Sequence, residues 1–384
     1  MTKLMSKNYL LAVATLMGTI IGVGLFAMPF VISKSGIIPL FIYMAGLVVI
    51  QYFLHLLFAE VILSTKDKHR LPGFVGKYIG RQSKKFTFLV EIVGVYGSIL
   101  AYIIVGGIFL HQLLFPYFGG GLFIYSTAIF VFVSAITFFD IKLIAGTELV
   151  LTSFLILAIG LIAWRGFSHI QLGNYNLLDW KNVFLPYGPI FFAVGGGAAI
   201  PEVCRLMAYQ KEKIKSAIFW GTFIPAGLML IFVMVILGIT GASTSPDTLA
   251  GLSAILTDGV ITFSLIFGLL AIITSYIVIA QATEEVYQWD MGLKNKTAWF
   301  LACFIPYLLY LIGWTDLIKV ISFTGAVTGG LSGVILIWLA FKVKARPEKA
   351  SCVKCKLNLP LAYVLSSLFV LGVIYEVLAT LRII

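Results

Sequence analysis

Gly18-Thr19-Ile20-Ile21-Gly22-Val23-Gly24 lies in the middle of the first hydrophobic segment, which runs from about Tyr9 to Val31. That segment is long enough to cross a bilayer core of about 30 Å as a helix. Three glycines and the β-branched run Thr19-Ile20-Ile21 occupy its centre, and Pro29 follows. Each interior glycine weakens a helix by about 1 kcal/mol relative to alanine. Backbone freed in hydrocarbon has no water to bond, so it persists only where protein buries it or where it lines a cavity. The stretch therefore reads as a break that offers N–H and C=O groups near the membrane midplane. A close-packing glycine face is the other reading of the same residues.

Working outward, 60% of the 384 residues are hydrophobic and 11% are charged. That is more apolar surface than a soluble domain can bury, which makes the chain a polytopic membrane protein. The net charge of +11 says little about a partner, because basic residues collect in inner loops whatever the cargo. No basic run alternates with exposed aromatics, so nucleic acid is not expected. The first hydrophobic segment is too long for a signal peptide, and no small-residue cleavage site follows it.

Hydropathy predicts eleven spans at about 9–32, 37–63, 86–115, 121–139, 143–164, 182–208, 216–239, 259–289, 297–313, 317–341 and 359–381. With the N-terminus inside, the successive inner segments hold two, seven, one, four, two and six Lys and Arg, and the outer ones hold five. This asymmetry predicts N-in, C-out, and a missed span would scramble it.

The sixth span carries a second anomaly, Gly195-Gly196-Gly197 followed by Pro201 and Glu202. Such a run cannot form an ordinary helix centre. If 9–164 and 182–341 are repeats, they are inverted, and the two breaks fall at corresponding places. Paired interrupted spans point to the binding site of a secondary transporter. Half-helix N-termini suit a carboxylate, and unwound carbonyls suit an amine or a cation, so the pair fits a zwitterion such as an amino acid.

Other polar residues carry more than one reading. The second span holds Gln51, His55 and Glu60. An intramembrane histidine is a functional candidate, and a neutral histidine bonded between helices is the simpler account. Tyr102 in the third span needs a partner for its hydroxyl. Glu91 and Glu148 read as inner-face charges, and Asp140 and Lys142 as loop residues. The basic loop 64–85, with Leu71 to Gly80, reads as an inner interfacial element. The 240–258 connection, with Asp247, Asp258 and an apolar stretch from Leu249 to Leu256, reads as a cap over an outer vestibule. Thr274 and Ser275 in the eighth span can complete an oxygen cage for Na⁺, or simply bond their own helix. Glu284, Glu285 and Asp290 face the side of Lys3 and Lys7, as an inner ion-pair gate or as an exposed charged end. Cys352 and Cys355 form a Cys-x-x-Cys without further ligands, so no metal is expected there. No Walker A motif, hydrolase elbow or His-Glu-x-x-His helix appears, which leaves a pump or an enzyme without support.

These residues also carry a resemblance. Gly18-Thr-Ile-Ile-Gly-Val-Gly-Leu-Phe-Ala-Met-Pro29 resembles the first-helix signature of the amino acid–polyamine–organocation superfamily. Leu71-Pro-Gly-Phe-Val-Gly-Lys-Tyr-Ile-Gly80 resembles the loop of its amino acid/auxin permease branch, which includes bacterial tryptophan/tyrosine permeases. Lys142-Leu-Ile-Ala-Gly-Thr-Glu148 resembles the start of the superfamily's fifth helix. The likeness implies an all-α integral membrane protein of the leucine-transporter type. Its five-plus-five inverted repeat has helices 1 and 6 broken, and an extra helix at 359–381 completes a single transmembrane domain.

By position, it implies substrate contacts at Thr19, Ile20, Gly22 and Gly24, with Phe191, Phe192, Ala193 and Gly195 as the opposite wall. Phe192 becomes a lid, and Tyr102 a third-helix tyrosine facing the site. Gly18, Ile21, Ala271, Thr274 and Ser275 match the cation positions of sodium-coupled members. The mid-helix lysine of some proton-coupled relatives is missing between Thr147 and Trp164, which leans toward Na⁺ and leaves H⁺ open. No cofactor beyond the coupling ion is implied. Small residues lining the pocket leave room for aromatic or branched neutral amino acids.

Three function classes follow. The first is a permease of the cytoplasmic membrane that moves amino acids. The second is a transporter-like sensor of the germinant-receptor type, which net flux would separate from the first. The third is a channel or scaffold, which saturable uptake would exclude.

Overall fold

The computed structural model describes residues 2–139, 145–253, 255 and 259–381. Asp140, Lys142, Asp258 and Arg382, with the side chains of Lys3 and Glu148, lie outside the described part. Among the described residues every regular element is helical. The first half contains α1 (Thr2–Ile20), α2 (Val23–Ser35), α3 (Ile37–Ser64), α4 (Leu71–Tyr78), α5 (Arg81–Phe118), α6 (Leu122–Phe138) and α7 (Ala145–Gly166). The second contains α8 (Tyr187–Ala193), α9 (Ile200–Leu206), α10 (Ile214–Thr240), α11 (Leu249–Ser253), α12 (Gly259–Glu285), α13 (Asn295–Leu311), α14 (Leu317–Phe323) and α15 (Gly330–Ala345). The last helix is α16 (Leu359–Thr380).

Among the described residues, eight helical stretches are long and apolar enough to cross a membrane, or nine when α1 and α2 count as one bent span. α6 and α13 match two further expected spans but have 17 residues each. At a rise of about 1.5 Å per residue they reach roughly 25 Å, short of a full hydrocarbon core.

Local chemistry sets the ends. The helical ladder stops where the Gly22 N–H turns back to the Ile20 carbonyl at 2.9 Å. α2 leaves α1 at 46°. Gly36, at φ 96°, lets the chain reverse into α3, and an added Cβ there would meet the Leu177 carbonyl carbon at 2.7 Å. Asp316 caps α14 and Asn358 caps α16 by accepting first-turn N–H groups. α2 packs on α8 and α1 on α9, so the two interrupted spans lie against each other. α3, α5, α12 and the π-helical turn Thr324–Gly329 between α14 and α15 close around them. Large apolar side chains such as Phe132, Val131, Val364 and Leu371 point outward, as lipid contact requires.

The basic 64–85 segment does more than face the interface. Lys77 clasps Asp67 at 2.6 Å and Glu348 at 2.7 Å, tying it to the loop after α15. The Lys77 ammonium holds both carboxyls below the usual carboxylate range. Cys352 and Cys355 lie in that same loop, where the Cys355 N–H donates to Glu60 at 3.2 Å. In the 240–258 connection, Thr248 donates to the Phe26 carbonyl, and Asp247 accepts from Gln112 at 3.0 Å.

Candidate functional site

A cavity of about 240 Å³ lies where the two interrupted spans meet. Thr19, Ile20, Gly22 and Gly24 line one side, and Phe191, Phe192, Ala193 and Gly195 line another. Tyr102 of α5 also lines it, stacked on Tyr276 at 6.3 Å. All nine substrate positions named from the sequence are thus brought together.

Two close approaches fix this geometry. A Cβ on Gly24 would lie 2.6 Å from the Ala193 Cα, so α2 and α8 meet backbone to backbone. A Cβ on Gly22 would lie 3.0 Å from the Tyr102 hydroxyl. Gly22 caps α2 without a side-chain bond, and the first-turn residues Val23 and Gly24 line the cavity. Partial positive charge there favours an anion such as a carboxylate.

Each break has its own support. At the first, Ser275 on α12 donates to the Gly18 carbonyl at 3.2 Å. Among the five cation candidates this joins Gly18 to Ser275. Thr274 instead bonds the Ala271 carbonyl of its own helix at 3.0 Å, and the Ile21 N–H stays on Met17 at 2.8 Å. At the second break, the Gly196 N–H donates to His55 Nε2 at 3.1 Å. With Nε2 accepting, the other ring nitrogen carries the hydrogen and donates to Thr222 at 3.1 Å. His55 is therefore a buried neutral strut, the simpler of its two readings. Gln51, one turn away on α3, lies 3.5 Å from the Phe191 carbonyl.

The inner end was not legible in the sequence. Arg70 binds Glu285 at 2.5–2.8 Å and the Ala198 carbonyl at 2.9 Å. Arg70 and Ala198 line both the cavity and a second, larger one of about 1230 Å³, so this contact separates the two. Glu285 and Asp290 thus meet Arg70 and His69 from the 64–85 segment. His69 lies 3.2 Å from Asp290. Glu91, expected at the inner face, also lines the cavity.

Thr324, Thr328 and Ser332 line it from the tenth span, and Gly94 and Ser98 face them from α5. Sequence reading passed over them, although hydroxyls every four residues in an apolar span lie on one helix face. The pairing of α5 with the tenth span was invisible before folding.

Residues 5–377 match the tryptophan/tyrosine permease family. The chain is 25% identical over 352 residues to the tyrosine-specific transport system 2 of Haemophilus influenzae, across 85% of this chain and 86% of that protein. Among solved structures it is similar to MhsT in complex with L-phenylalanine, with a TM-score of 0.71, 16% identity and 97% of each chain covered. It is also similar to the Eremococcus coleocola manganese transporter, with a TM-score of 0.65 and 12% identity, over 99% of this chain and 88% of that one. At these identities the structural likeness shows the fold, which is of the leucine-transporter type.

Proposed function

Because the chain belongs to the tryptophan/tyrosine permease family, we propose that it is a secondary active transporter that carries neutral aromatic or branched apolar amino acids by alternating access. It is a multi-pass integral protein of the cell membrane and not an enzyme. The observation that carries the reading is the convergence of both interrupted spans and Tyr102 on one cavity. The first turn of α2 receives the substrate carboxylate, and carbonyls freed at the breaks receive its ammonium. Phe192 closes over the ligand. Opening toward the larger cavity requires Arg70 to leave Glu285 and the Ala198 carbonyl.

Coupling is to Na⁺ or H⁺. The Gly18 carbonyl bonded to the Ser275 hydroxyl supports a Na⁺ position, with Ile21, Ala271 and Thr274 as its further candidate ligands. Eleven spans, N-in and C-out, follow from the lopsided distribution of Lys and Arg. The interrupted first and sixth spans support inverted repeats over about 9–164 and 182–341, with the helix at 359–381 outside them.

Uptake of a labelled amino acid pool into proteoliposomes tests this, with an inward Na⁺ gradient in one set and an inward proton gradient in the other. Accumulation under either gradient is the expected result and names the ion. Binding without accumulation under both would overturn transport in favour of a ligand sensor.

A further inference from the structure

The reading above leaves the polar wall from α5 and the tenth span without a role. Ser98 donates its hydroxyl hydrogen to the Gly94 carbonyl at 3.0 Å. Thr324 donates to the Val320 carbonyl at 2.7 Å, and Thr328 to the Thr324 carbonyl at 2.6 Å. A hydroxyl has one hydrogen and two lone pairs, so each group retains acceptor capacity alone. All three line the cavity, and Thr324 and Thr328 are 7% and 6% exposed. Gly94 holds the two helices close, since a Cβ there would lie 2.6 Å from Thr328 Oγ1. The tenth span departs from α-helical geometry over Thr324–Gly329, a kind of turn that often marks functional positions.

The cavity is therefore chemically divided. The first turn of α2 lines one side, and Ser98, Thr324 and Thr328 line another, with Glu91 and Arg70 also in the lining. Apolar side chains such as Val95, Ile279 and Leu336 lie among the lining.

We propose that Ser98, Thr324 and Thr328 are specificity determinants that select a side-chain ring carrying a hydrogen-bond donor, a phenol O–H or an indole N–H. This deepens the transport reading and rests on it. A ring without a donor desolvates these acceptors and returns no bond, whereas a donor ring satisfies them. Ammonium recognition at the same wall makes a different prediction, because it affects every amino acid alike.

The test is paired uptake into proteoliposomes, tyrosine against phenylalanine and tryptophan against 1-methyltryptophan, whose ring nitrogen has no hydrogen. The wild-type chain prefers the donor member of each pair. Thr324→Val and Thr328→Val keep shape and remove the acceptor, and each lowers that preference by about 10-fold. Thr324→Ser and Thr328→Ser retain it. Ser98→Ala provides the same measurement where valine at the π-helical turn prevents folding. A donor preference unchanged in every folded variant overturns the proposal, as does a wild-type chain that carries both members equally. A wild-type chain that accumulates neither tyrosine nor phenylalanine, yet accumulates a branched apolar amino acid, overturns the proposal and leaves transport standing. Failure to accumulate any amino acid overturns transport itself.

Discussion

The two breaks meet one physical need with opposite chemistry. In the first span, between α1 and α2, the exposed group that gains a tertiary partner is a carbonyl, Gly18, and the partner is a donor, Ser275. In the sixth, between α8 and α9, it is an N–H, Gly196, and the partner is an acceptor, His55. The sixth-span break is also held at Phe191 by Gln51 and at Ala198 by Arg70. Among the described residues, one break thus leans on α12 through the Ser275 hydroxyl. The other is tied to α3 and to the 64–85 segment by larger groups. The difference teaches that glycine opens a membrane helix, while the identity of the freed group decides which side chain must answer it.

Four tests break or sharpen this comparison. Gly24→Ala has the largest effect, because its Cβ collides with backbone, the Ala193 Cα, where the two spans touch. Uptake falls to background in proteoliposomes, and retained transport would show that this contact is not needed.

His55→Ala comes next. It orphans both the Gly196 N–H and Thr222, at roughly 1–3 kcal/mol for each buried group left unpaired. Thermal unfolding in detergent reads this loss. His55→Gln, which offers both a donor and an acceptor, recovers part of it.

Arg70→Gln removes the fork between Glu285 and the Ala198 carbonyl. Concentrative uptake drops several-fold while exchange of internal for external substrate persists. Equal loss of both would assign Arg70 to folding rather than to separating the two cavities.

The smallest effect distinguishes neighbours. Ser275→Ala leaves the Gly18 carbonyl without its donor and lowers stability by about 1 kcal/mol. Thr274→Ala, whose hydroxyl bonds its own helix, stays within about 0.5 kcal/mol. Loss of Na⁺ dependence in Thr274→Ala at unchanged stability would assign that hydroxyl to the ion.

Much of the molecule was legible before folding. The positions of the long helices follow from hydropathy and fall close to the expected spans, while the short α4 and α11 lie in the connections 64–85 and 240–258. Both breaks follow from glycine and proline, whose effect on a helix is local and additive. The nine wall positions were named from a motif and do meet at one cavity. Arg70, Glu91 and the hydroxyls of the tenth span were assigned elsewhere or passed over. A basic loop residue reads as orientation, a carboxylate near a span end reads as solvated, and a threonine in a helix reads as bonded to itself.

By itself, the sequence determined that this is a helical membrane protein interrupted twice, because those properties depend on residues adjacent along the chain. Tertiary structure alone decided that His55 supports Gly196 from 141 positions away, that Ser275 supports Gly18 from 257, and that Arg70 meets Glu285 from 215. Such pairings arise when buried polar groups must find partners in a medium without water, and only the packing of α3, α5, α12 and the tenth span against the two breaks fixes which partner lies in reach.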